Sequence, residues 1–150
     1  MAEFEFEKTV EVAGTADEVW ALITDVPRLV GWISVLDDAR TIEELARYTA
    51  VIQDKIGMFK LRADLDITIV DKTMGERIVM HAEGEDRQVG SRIVIDAVVA
   101  LTSAEGTSSV RVQGKYGVSG SAATLGSSTI RRKGDKIVEE FVKNLLAEAA

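Results

Sequence analysis

The sequence predicts an α+β fold: a curved antiparallel sheet of about six or seven strands around a long C-terminal helix, with two short helices after the first strand. Three observations predict it. Residues 59–69 read "FKLRADLDITI", a strict alternation of apolar and polar side chains. That is the period of a half-buried antiparallel strand with one wet face. Strand-like patterning runs from about Ser34 through Val118, broken by the turn signals "KIGMF", "TMGER", "DRQVG" and "SAEGT". The chain then closes on "IVEEFVKNLLAEAA", the end of an amphipathic helix.

The elements follow in order. The first strand alternates through Phe4, Phe6, Lys8, Val10 and Val12, and Gly14 turns the chain. Thr15 stands three residues before Glu18, the spacing of a capping box, and opens a short helix carrying Val19, Trp20 and Ile23. Pro27 ends that helix or opens another turn around "RLVGW". Later strands fall near 77–84, 92–103 and 108–118; in the last, Val110, Val112, Gly114, Tyr116 and Val118 share the inward face. A sheet with one apolar face needs a cover, and only the C-terminal helix is long enough.

Composition narrows the function. A chain of 150 residues, 46% apolar and 29% charged, suits one soluble domain spanning residues 1–150. The net charge of −7 argues against nucleic acid and anionic lipid headgroups as partners. With no cysteine there is no disulfide, thiolate nucleophile or cysteine metal site, which suits a reducing, cytoplasmic setting. The start, "MAEFEFEKTVEV", reads as a strand and not a signal peptide, and no apolar run approaches the roughly 18 residues that span a bilayer.

The final helix is thin where it begins. In "SGSAATLGSSTIRRKGDK", Leu125 and Ile130 are the large apolar side chains. Gly126, Ile130, Gly134, Ile137, Phe141 and Leu145 recur at spacings of four and three, as one stripe. Either small residues let the helix sit close to the strands, or the space stays open as a pocket. An unfilled apolar pocket of ~300 Å³ costs roughly 7 kcal/mol, so a pocket there is expected to be wet, collapsible or ligand-filled.

Three stretches carry a family resemblance: "VAGTADEVWALITDVPRLVGWISVLD", "YTAVIQDKIGMFKLRADLDITIVD" and "VSGSAATLGSSTI", the last with Leu125 and Gly126 in the Gly-rich lead-in to the helix. Through them the chain resembles the carbon monoxide dehydrogenase CoxG family of the START-like, helix-grip (SRPBCC) superfamily. The family often has Cys or Ile-Pro-Gly where this chain has "GWISVLD". The resemblance implies a cavity between sheet and helix, and an accessory role beside a molybdenum-containing CO dehydrogenase at the inner face of the membrane. Membrane contact would come through that partner or through a C-terminal tail that some members carry. No intrinsic cofactor is implied; a quinone, menaquinone or ubiquinone, is the ligand such a cavity would hold.

For that cavity the expected walls are Phe59, Leu61, Ala63, Leu65, Met80, Val112, Leu125, Gly126, Ile130 and Gly134, with Trp32 and Tyr116 orienting the ligand. Trp32 is otherwise a plain core aromatic, and Tyr116 and Tyr48 are otherwise structural hydrogen bonders. Asp54 shares the parity of Tyr48, Ala50 and Ile52 and so points inward, either escaping to solvent at the sheet end or anchoring a ligand head. His81 falls on the wet face and lacks a metal-site constellation. Arg131, Arg132, Lys133 and Lys136 form a solvated helix face or a dock for an acidic partner. No catalytic residue is expected. The competing enzyme reading, a small cyclase or dehydratase, requires Asp54, Tyr48 and Tyr116 to converge on one position. A ligand-free adaptor requires a collapsed space under Gly126 and Gly134.

Overall fold

In the computed structural model seven antiparallel strands form one sheet in the order β1-β7-β6-β5-β4-β3-β2. The structure describes residues 2–56, 59–86, 88 and 90–149, with the backbone alone of Ala2, Ile56 and Phe59. The strands are β1 (Ala2–Ala13), β2 (Leu36–Glu43), β3 (Arg47–Ile56), β4 (Phe59–Thr73), β5 (Arg77–Asp86), β6 (Ser91–Ala104) and β7 (Thr107–Gly120). Helices α1 (Ala16–Ile23) and α2 (Val26–Gly31) lie between β1 and β2, and α3 (Ser127–Ala149) follows a short 3-10 turn, Ser121–Leu125. The expected helix-grip arrangement is the observed one.

Local chemistry sets the element ends. The Thr15 hydroxyl accepts from the Glu18 N–H at 3.3 Å while the Glu18 carboxylate accepts from the Thr15 N–H at 3.2 Å, so the capping box is complete. Asp25 caps α2, and Pro27 sits in its first turn, where a missing N–H costs no helical bond. Pro27 therefore opens a second helix. Successive meander strands pair with their sequence neighbours, while β1 runs the length of β7, from Ala2 opposite Val118 to Ala13 opposite Thr107. The free edge, β2, is broken by register shifts between Asp37 and Arg40 and between Thr41 and Glu43, which blunt it against further strand addition.

Two glycines let the sheet bend. At Gly114 a Cβ would overlap the Asp96 carbonyl oxygen and crowd Ala97 and the Phe6 ring; at Gly84 it would lie 2.6 Å from the Asp64 carbonyl oxygen. Neighbouring backbones come close at both points because nothing projects from the inner face. The resulting trough takes α3. Its C-terminal half is deeply seated: Phe141, Val142 and Leu145 join Val12, Val19, Ile23, Val99 and Val110 in one core cluster. A second cluster packs Val26 and Val30 of α2 on Tyr48, Ala50, Leu65, Ile67 and Ala82. A third, smaller one holds Phe4, Val118, Ala122 and Ile130 under the start of α3.

The close approach at Gly114 predicts that Gly114→Ala costs about 2–4 kcal/mol, because backbone and not a flexible side chain must move. Gly31→Ala, where a Cβ meets nothing within 4 Å, is expected to change stability by less than about 1 kcal/mol. Urea unfolding midpoints of the two variants check the contrast.

Candidate functional site

Between the N-terminal half of α3 and the sheet lies a cavity of about 190 Å³. Its floor is Phe6 of β1, Ile52 and Asp54 of β3, Leu61 of β4, Ile93 and Ile95 of β6, and Tyr116 and Val118 of β7. Ala122 and Leu125 close one end, Val35 reaches in from the segment after α2, and Ile130, Lys133, Gly134, Ile137 and Val138 form the roof. The lining is apolar except for Tyr116, Asp54 and Lys133.

Each polar group is held. The Tyr116 ring stacks on Phe4 with centroids 5.1 Å apart, and its hydroxyl donates to the Ile130 carbonyl at 3.4 Å. A Cβ on Gly134 would overlap that hydroxyl, so this glycine exists for the tyrosine beneath it. Burial is the main influence on Tyr116, with Asp135 adding to it and Arg131 opposing; together they raise the phenol's pKa, keeping it a neutral donor. Asp54 and Lys133 join sheet to helix across the mouth, with Lys133 Nζ 3.1 Å from Asp54 Oδ2. Their side chains are 19% and 35% exposed, respectively.

The two clamps at the other end of α3 fix the loop after α2. Glu140 accepts from the Ser34 backbone N–H and from the Ser34 hydroxyl, the latter at 3.0 Å, and Asn144 donates to the Trp32 carbonyl at 2.8 Å.

Five of the residues singled out from sequence come together on the cavity: Leu61, Tyr116, Leu125, Ile130 and Gly134. Others lie elsewhere. Trp32 caps the C-terminus of α2 and packs on Phe141, centroids 5.8 Å apart, in the large core cluster and not at the cavity mouth. Val112 joins that same cluster, and Leu65 and Met80 belong to the cluster under α2. Ala63 is buried on the same face but does not reach the cavity. Gly126 is not in the helix at all: at φ +90° it ends the 3-10 turn, exposed, one residue before α3. The side chain of Phe59 lies outside the described residues.

Sequence reasoning missed Lys133, Ile137 and Val138 as roof residues, and Ile52, Ile93 and Ile95 as floor. Lys133 stands three after Ile130 and four before Ile137, so helical spacing already put it on the stripe. The basic run also divides. Arg131 lies over the Phe4 ring at 5.2 Å, Lys133 turns to Asp54, and Arg132 and Lys136 are exposed. The cyclase convergence fails at Tyr48, whose hydroxyl accepts from the Leu45 N–H at 2.6 Å within the α2 cluster.

The outer face carries a broader polar depression of about 640 Å³ beside Arg62, Asp64, Glu83 and Arg92. His81 lies next to it, half-buried, with Nδ1 2.7 Å from Asp96 Oδ1 and Nε2 3.1 Å from Glu83 Oε2. Only the doubly protonated ring donates to both. The hydrogen bond to Asp96, then that to Glu83, raises the histidine pKa; Glu83 is lowered, first by His81 and then by Arg92. Among the described residues, no three acidic or imidazole side chains are grouped to hold a metal ion. No helix is long and apolar enough to cross a membrane.

Comparison with known proteins fits this geometry. Residues 9–150 match the CoxG family of carbon monoxide dehydrogenase. No curated protein matches significantly. Among solved structures, a conserved protein from Geobacillus kaustophilus superposes with a TM-score of 0.83 at 21% identity, over 97% of this chain and 95% of that one. A START superfamily protein from Mycobacterium smegmatis gives 0.73 at 12% identity, over 97% and 96%. The Zhui aromatase/cyclase from Streptomyces sp. R1128 gives 0.67 at 16%, over 99% and 94%. At these identities the likenesses show the START-like fold and no more.

The His81 arrangement sets a pH dependence. A raised histidine pKa contributes stability that is complete below the unfolded value and lost as pH rises through the folded one, that is, above about 6.5. The Glu83 contribution runs the other way and is lost as pH falls through its lowered pKa in the acid range. Thermal melts of the wild type are expected to peak between these windows and decline from about pH 6.5 upward. In His81→Gln the alkaline decline flattens; an unchanged decline would show that other groups carry it.

Proposed function

Since the chain belongs to the CoxG family of carbon monoxide dehydrogenase, we propose that it is a non-catalytic binding module that holds an apolar small molecule between sheet and helix. The observation that carries this is the cavity itself: about 190 Å³, walled by Phe, Val, Ile, Leu and Ala with three polar side chains. Pockets for small molecules have this composition, mostly apolar with a few placed polar groups. An apolar cavity of ~150 Å³ stays dry and accepts benzene, so this one is suited to a small ring system. A longer chain attached to that ring would leave through the mouth.

A quinone, menaquinone or ubiquinone, fits those demands. Its ring takes apolar walls and its oxygens take one or two donors. The module would then serve a molybdenum-containing CO dehydrogenase, presenting a lipid-soluble electron acceptor at the inner face of the membrane. Membership of the family supports the association with the dehydrogenase; the ligand is a proposal from the cavity. The solved aromatase/cyclase relatives favour an enzyme reading. Against it, the Asp54 carboxylate, the Tyr116 hydroxyl and the Tyr48 hydroxyl are each already engaged by a different protein group.

Calorimetric titration with short-tailed menaquinone and ubiquinone analogues tests the proposal. Saturable binding at about 10 µM or tighter is expected for a buried ring, weakened at least about tenfold in Ile137→Phe, whose added bulk fills the roof. No binding across a wide concentration range, or equal binding by the filled variant, would contradict it.

A further inference from the structure

We propose that the Asp54–Lys133 pair is the polar subsite of the cavity and that it selects ligands with a neutral oxygen-bearing head over ligands with an anionic one. The inference rests on the binding reading above and names the chemistry of the ligand's head.

The pair differs from the other lysine and arginine ion pairs of the described residues. Those join side chains that are about half exposed or more, such as Arg47–Asp66 at 56% and 56% and Arg40–Asp38 at 71% and 53%. Such pairs are screened and weakly oriented. Asp54 and Lys133 are 79 residues apart, belong to different layers, and are set among Ile52, Leu61, Ile130 and Ile137 in the cavity wall. A partly desolvated pair in apolar surroundings is costly unless its remaining donors and acceptors find partners. Here some are left over. Lys133 has three N–H donors and one carboxylate to serve. Asp54 Oδ1 accepts from the Lys55 N–H at 2.8 Å, while Oδ2 faces Lys133.

A neutral head satisfies this site. A ligand carbonyl accepts from a free Lys133 N–H without disturbing the pair, and a ligand hydroxyl can donate to Asp54 Oδ2. An anionic head gains from the ammonium but meets the Asp54 carboxylate a few ångströms behind it. The two effects largely cancel, while the ligand still loses its hydration on entry. The pair thus works as a filter against fatty acids and phosphates while accepting ketones, quinones and phenols. Tyr116 is the third polar group, and its hydroxyl is turned to Ile130, so the filter lies with Asp54 and Lys133.

Three ligands of one ring size test this at neutral pH: naphthalene, 2-methyl-1,4-naphthoquinone and 2-naphthoate, titrated calorimetrically into wild type, Asp54→Asn and Lys133→Met. Wild type is expected to bind the quinone at least about tenfold more tightly than the carboxylate. Asp54→Asn should strengthen naphthoate binding by about tenfold and leave the quinone within about threefold. Lys133→Met should weaken the quinone by about tenfold and leave naphthalene unchanged. Equal wild-type affinity for quinone and carboxylate overturns the proposal without needing either variant to fold. A preference unchanged in both variants overturns it as well. If naphthalene binds under either of those results, the cavity reading stands and the head subsite falls; if none of the three ligands binds, both fall.

Discussion

The contact on which the site depends is Tyr116 under Gly134. The tyrosine ring rises from β7 toward α3, and the helix tolerates it because one position carries no side chain. Glycine inside a helix costs about 1 kcal/mol relative to alanine, and here that cost fixes the spacing between the layers. One turn on either side, Ile130 and Ile137 reach down past the ring and leave the cavity between them and the strands. Toward the C-terminus Phe141, Val142 and Leu145 fill the trough completely. One helix therefore does two jobs along its length, sealing a core with one half and roofing a cavity with the other.

That division has an energetic side. An apolar space of about 190 Å³ left unfilled costs on the order of 5 kcal/mol, a large share of a domain's net stability. The fold can carry it because α3 is anchored independently of the cavity. Leu145 is fully buried, Glu140 holds Ser34, and Asn144 holds the Trp32 carbonyl. At the open end the span from sheet to helix is made by Asp54 and Lys133, charged groups that can part and meet water. A ligand that fills the space recovers part of the cost, so binding and stability are coupled.

Much of the fold was legible because its signals are local. Strict alternation over residues 59–69 names a half-buried strand, Thr15 with Glu18 names a helix start, and parity alone turns Asp54 inward. The site was less legible, for reasons that lie between elements. Leu61, Ala63 and Leu65 share one face of one strand, yet only Leu61 reaches the cavity; parity gives the side and not how far along the strand the helix stands off. Gly126 fits the helical stripe by spacing, but its positive φ belongs to the end of the preceding 3-10 turn. Trp32 follows a six-residue helix whose rotation no pattern encodes, and it turned into the core. Lys133 was on the stripe by spacing and was hidden by its charge.

The most direct measurement is of where a bound ring sits. Isoleucine methyl spectra of labelled protein, recorded with and without 2-methyl-1,4-naphthoquinone, report on every relevant wall. Binding beneath the first half of α3 predicts intermolecular contacts and shifts at Ile52, Ile93, Ile95, Ile130 and Ile137, which line the cavity, with Ile23, Ile78 and exposed Ile42 unchanged. Shifts confined to Ile42, or spread evenly across the core, would contradict a binding site there.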